Sequence, residues 1–98
     1  MNQYMFDIDL PEHLDAEFMA LIPAQRSCVN ELMIKGLIST YALSLDRSKL
    51  WVIVLAGSEA EAWEVYESFP LGDYMDPSLI ELAFHNSKTV ALPQLSLN

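Results

Sequence analysis

Cysteine occurs once in this chain, at Cys28, glycine three times and basic residues five times among 98 positions. Each scarcity excludes something. A single cysteine inside a helical pattern builds neither a disulfide framework nor a thiolate metal site. Three glycines leave no material for a phosphate-cradling loop or a dinucleotide-binding turn. No histidine, cysteine and carboxylate set has metal-ligand spacing, so neither metal nor organic cofactor is expected. Ser27, Ser39 and Ser44 lack a local His/Asp pattern, which argues against a nucleophile triad. Five basic residues against fourteen acidic ones give a net charge of −9. That field repels phosphate backbones and anionic lipid, so no nucleic-acid partner and no membrane partner are expected. No apolar run is long enough for a bilayer, and "MNQYMFDIDLPEH" lacks the basic lead of a secretion signal. A cytoplasmic protein is the expectation.

What the chain has in quantity is apolar material: 52% hydrophobic residues and a mean hydropathy of +0.19. The length suits one domain, read as residues 1–86, with a C-terminal tail at 87–98. Val90, Leu92, Leu95 and Leu97 make that tail apolar enough to pack on a neighbouring subunit. A surplus of apolar surface on one small domain predicts a homo-oligomer.

The order of elements can be read from periodicity. "QYMFDIDL" (3–10) alternates as a half-buried strand. Asp15 is a candidate N-cap for a helix carrying Phe18, Leu21, Ile22, Cys28, Val29, Leu32 and Met33, closed by Gly36. Pro23 inside it predicts a kink or a break. "LISTYALSL" (37–45) and "LWVIVLA" (50–56) read as strands joined at "DRSK". Ser58 and Glu61 form a capping box for a second helix bearing Ala62, Trp63, Tyr66 and Phe69, ended by Pro70 and Gly72. "LIELAFH" (79–85) is the last strand. The order β-α-β-β-α-β is a ferredoxin-like α+β unit, an antiparallel sheet with both helices on one face. Its first and third strands are expected at the centre, running parallel to each other.

Parity assigns Tyr4, Phe6, Ile8, Trp51, Ile53 and Leu55, with Tyr41, Leu43, Ile80, Leu82 and Phe84, to the helix side. Met5, Asp7, Asp9, Ile38, Thr40, Leu50, Val52, Val54, Leu79, Glu81 and His85 fall on the other, with Ala42, Ser44 and Ala83. That second face is still largely apolar, so a sheet-on-sheet homodimer with a ligand cavity between the sheets is expected.

One stretch is more specific. Pro70-Leu71-x-x-Tyr74-Met75-Asp76, followed by a strand ending near His85 and Ser87, resembles the turn of the muconolactone isomerase family. The likeness runs through Leu10-Pro11, Asp15, Gly36 and Ser58 and covers most of the chain. It implies a dimeric α+β barrel, in some members a larger ring, and cofactor-free proton transfer on a small unsaturated lactone bearing a carboxylate. Where the family has a strand rich in arginine, histidine and tryptophan, this chain has Ile38-Ser39-Thr40-Tyr41-Ala42-Leu43, while Arg26 matches a family lysine.

The candidate proton-transfer residues are therefore Asp7, Glu81 and His85, with Tyr74 as a hydroxyl donor. Asp7 and Glu81 are expected on one face of neighbouring strands. Arg26, Thr40 and Met75 are candidate substrate contacts, Arg26 as the anion anchor. Each has a plainer reading: Asp7 in an ion pair, Glu81 at a wet rim, His85 as a strand-end cap, Tyr74 and Met75 as a plug, Arg26 on a helix surface. Whether the chain is an enzyme stays open. The alternatives to an isomerase are a non-catalytic small-ligand-binding or assembly module of the same fold, and a cofactor-independent oxygenase.

Overall fold

The computed structural model describes residues 1–86; the tail at 87–98 lies outside the described residues. Alternation in "NQYMFDID" folds into β1 (Asn2–Asp9), which buries Tyr4, Phe6 and Ile8 and leaves Met5 and Asp7 half-buried. Asp15 caps α1 (Ala16–Ile34) by accepting from the Phe18 amide at 2.9 Å. The helix ends as its glycine predicts. Gly36 adopts φ +79°, its amide donates to Met33 O, and the Leu37 amide reaches back to Leu32 O. Pro23 neither breaks nor divides α1, which is one helix through it. Met19, Pro23 and Ser27 all lie on the exposed side, so the Met19 carbonyl that loses its partner faces water.

β2 (Ile38–Leu43) and β3 (Lys49–Ala56) flank a five-residue hairpin loop at 44–48. Ser58 caps α2 (Glu59–Glu67) by accepting from the Glu61 amide, and the Glu61 carboxylate accepts from the Gly57 amide at 2.9 Å. A single 3₁₀ turn (Gly72–Tyr74) leads to β4 (Asp76–Leu82). β4 starts and ends three residues earlier than the apolar run suggests. Pro77 lies within it, which an edge strand tolerates because only one side of the strand must donate.

The sheet order is β2-β3-β1-β4 and every adjacent pair is antiparallel. The central strands β1 and β3 thus run in opposite directions, correcting the expected parallel pair. The crossover through α1 sets β2 parallel to β1, and the hairpin reverses the chain before β3. The architecture is α+β and ferredoxin-like, with both helices packed on one face. Phe18 and Val29 of α1 and Ala62 and Tyr66 of α2 share one core with Phe6, Ile8, Val52 and Val54.

Register corrects the parity reading of three strands. Tyr4, Phe6 and Ile8 stand opposite Val54, Val52 and Leu50, so these β3 residues face the helices while Trp51, Ile53 and Leu55 face away. On β4, Leu79 and Glu81 share the helix side with Phe6 and Tyr4, and Ile80 and Leu82 turn outward. A bulge between Ile38 and Thr40 sends Ile38 into the core beside Tyr41's side of β2 while Thr40 keeps to the outer face. β3 is apolar at nearly every position, so alternation carried no sign by which to choose a face. The face that the helices leave uncovered is therefore built from Met5, Ala42, Trp51, Ile53, Leu55, Ile80 and Leu82, with Asp7, Asp9 and Lys49 at one end, and Ile53 at its centre is only 5% exposed.

Candidate functional site

The sequence candidates separate in space. Asp7 is on the uncovered face, where Lys49 Nζ lies 3.2 Å from its Oδ1 and 2.6 Å from Asp9 Oδ1. The two carboxylates, Asp9 first, hold the Lys49 ammonium above its ordinary pKa. Glu81 is exposed on the opposite face of the sheet, across from Tyr4, whereas Asp7 is across from Ser78. The expected Asp7–Glu81 pair on one face is thus not formed, because β4 pairs one residue out of step with the parity reading. Thr40 shares the uncovered face with Asp7, opposite Ile53. His85 is half-buried beyond the end of β4. Tyr74 closes the 3₁₀ turn and sets its ring edge-on to Phe18, centroids 6.2 Å apart.

Arg26 and Met75 do come together. Both line a cavity of about 190 Å³ on the helix side, between α1, the β2–β3 hairpin and the turn before β4. Its walls are Phe18, Ile22, Leu50, Leu71 and Met75, and its polar lining is Gln25, Tyr41 and the exposed Arg26 and Arg47. No carboxylate and no imidazole is among the lining residues. An apolar cavity of roughly 150 Å³ accommodates benzene, so this one has room for a single ring with short substituents.

The polar groups are held by local chemistry. Gln25 is only 4% exposed. Its Oε1 accepts from the Leu71 amide at 3.1 Å and its Nε2 donates to the Tyr41 hydroxyl at 3.2 Å. Gln25 thereby ties α1 to both the β4 turn and the sheet edge. Burial pushes the Tyr41 phenol up from its ordinary pKa, against the opposing hydrogen bond from Gln25. Arg47 sits in the hairpin at φ +63°, a left-handed conformation that costs a non-glycine residue roughly 1 kcal/mol. Asp46 stabilises that turn: its Oδ1 accepts from the Ser44 and Ser48 hydroxyls at 2.8 and 2.7 Å and from the Ser48 amide at 3.0 Å. The two bonds from Ser48, then that from Ser44, lower the Asp46 pKa.

Gln25, Tyr41 and Arg47 are polar lining residues that sequence reasoning did not single out. Gln25 had a signal: it stands on the stripe of Phe18, Leu21, Ile22, Val29 and Leu32, where the helical period assigns a core position to a polar residue. Arg47 had none, since only hairpin closure brings it beside α1.

Among the described residues no helix is long and apolar enough to cross a membrane, and no set of three or more His, Cys, Asp or Glu side chains is arranged to hold a metal ion. Comparison with protein-family models and with curated proteins gives no match for this chain.

Proposed function

We propose that this protein binds a small, ring-sized, largely apolar molecule carrying a carboxylate. The apolar body fills the helix-side cavity and Arg26 and Arg47 pair with the anion. One observation carries the reading: in a chain of net charge −9 with five basic residues, two of them line the same apolar cavity, and no acidic residue lines it. An acidic surface elsewhere disfavours anions, so two arginines at one apolar mouth make it the favoured place to hold one. Charge-assisted pairing to guanidinium supplies the affinity that burial of one ring alone does not.

The resemblance to muconolactone isomerases points to unsaturated lactones with a carboxylate as the first ligands to try. Cofactor-free proton transfer on such a lactone would need an acid or base at the bound ring. Asp7, Glu81, His85 and Tyr74 do not line the cavity, so binding is the function the geometry favours over isomerisation. The apolar uncovered sheet face supports a homodimer in which each copy keeps its own helix-side cavity, in place of a ligand site between the sheets.

Calorimetric titration of small cyclic carboxylates and their methyl esters tests the reading. The acids bind and the esters bind more weakly by roughly ten- to a hundredfold, the value of a hydrogen bond to a charged partner. Arg26→Gln and Arg47→Gln each remove most of that difference. Equal binding of acid and ester, or no effect of either substitution, defeats it.

A further inference from the structure

Gln25 is the buried polar side chain that the core tolerates, and its hydrogen bonds have a fixed direction. The Leu71 amide can only donate, so the Gln25 oxygen must face it, and the Gln25 nitrogen must then face Tyr41. An amide nitrogen has no acceptor capacity. The Tyr41 oxygen is consequently the acceptor in that bond, and its own proton points elsewhere. A phenol proton lies in the ring plane on one of two sides, and Gln25 occupies one. Among the bonds formed by the described residues, the Tyr41 hydroxyl receives that one and donates none.

Tyr41 and Gln25 both line the cavity whose lining includes Arg26 and Arg47. Building on the carboxylate-binding reading above, we infer that the Tyr41 hydroxyl is a second recognition point, a donor oriented by Gln25 for a neutral oxygen acceptor on the ligand. The ligand class narrows accordingly. It is a ring bearing a carboxylate, for the arginines, and a neutral oxygen acceptor such as a ring ketone, for Tyr41. Burial keeps the phenol protonated far above neutral pH, as a donor requires. A site built around a committed donor disfavours a ligand without the matching acceptor, because the donor is then left desolvated and unpaired.

The probes are cyclopentanecarboxylate, its ring-ketone analogue and the methyl ester of that ketone, titrated against the full chain and its Tyr41→Phe variant. The wild-type protein prefers the ketone acid over the plain acid by roughly five- to tenfold, the worth of one neutral hydrogen bond. Tyr41→Phe erases that preference. A second readout needs no variant: the infrared carbonyl stretch of the bound ketone falls below its position in an apolar solvent. A wild-type protein without the preference, a variant that keeps it, or an unshifted carbonyl overturns the role of Tyr41 while acid-over-ester discrimination stands. Loss of acid-over-ester discrimination in the wild type overturns the carboxylate reading instead.

Discussion

Tyr66 illustrates how one side chain ties the site's surroundings together. Its ring packs between Phe6, Trp63 and Phe69, with centroids 5.3, 5.8 and 5.5 Å away. Its hydroxyl donates to the Gly72 carbonyl at 2.7 Å, fixing the turn that carries Leu71 and Met75 to the cavity. Burial, then the charges of Asp73 and Asp76, pushes its pKa from 10.0 up to about 12. Because folding raises this pKa, the contribution to stability is fully present below pH 10 and is lost as pH climbs through 12. Tyr66→Phe should cost about 1 kcal/mol at neutral pH, from the lost hydrogen bond to the Gly72 carbonyl, which keeps only the long 3.4 Å bond from the Met75 amide. It should also flatten the alkaline loss of stability between pH 10 and 12, read from urea melts across that range. An equally steep alkaline loss in the variant would mean that another group drives it. At this scale the caps were legible: Asp15, Ser58 and Gly36 all do what their residue types and positions imply. Arg26 and Met75, singled out in the sequence, line one cavity with Arg47, which was not singled out because nothing local relates a hairpin tip to a helix that ends at Ile34.

At the scale of elements, periodicity settled which segments are helix and which are strand, and it failed on orientation. β1 carries Asp7 and Asp9 on one side and aromatic and aliphatic residues on the other, so its faces were assigned correctly. "LWVIVLA" has no polar side, and its assignment came out reversed. β4 is reversed in the same way, with Leu79 and Glu81 opposite Phe6 and Tyr4, which is why Asp7 and Glu81 end on opposite faces. α1 offers the sharper test of local against tertiary effects. Pro23 should end a helix in isolation, yet the amphipathic stripe on either side of it packs into one core, and that packing outweighs the missing bond. Pro23→Ala restores a donor for the Met19 carbonyl on an exposed surface. The variant should be more stable by about 2 kcal/mol, within the difference between the two residues in helix interiors, measured as a shift in the denaturation midpoint. An unchanged or lowered midpoint would show that the proline's restriction of the unfolded chain compensates for the lost bond.

The whole molecule has one covered and one uncovered sheet face. The covered face holds Phe6, Ile8, Val52 and Val54, the most completely buried large side chains. The uncovered one presents Trp51 between Asp7 and Ala42, with Ile80 47% exposed. An apolar face of this kind is a liability for a monomer and an asset for a pair. The proposed homodimer makes a direct prediction: light scattering on the eluting wild-type protein reports twice the chain mass, and Trp51→Glu reports the single-chain mass with far-ultraviolet dichroism unchanged. A wild-type chain that remains single at micromolar concentration removes the dimer, and with it the reason offered for the apolar excess. The proposed carboxylate site does not depend on that outcome, since every residue assigned to it belongs to one chain.

The sequence by itself determined the βαββαβ order and the helix caps, because these follow from periods of two and 3.6 residues and from backbone groups that neighbours along the chain can satisfy. Only the tertiary structure decided which side of β3 and β4 meets the helices, and that Gln25 reads Leu71 and Tyr41 together. Only it decided that the cavity opens beside Arg47 on the helix side of the sheet. Those facts depend on register and loop closure, which join residues far apart in the chain and leave no local trace where both faces of a strand are equally apolar.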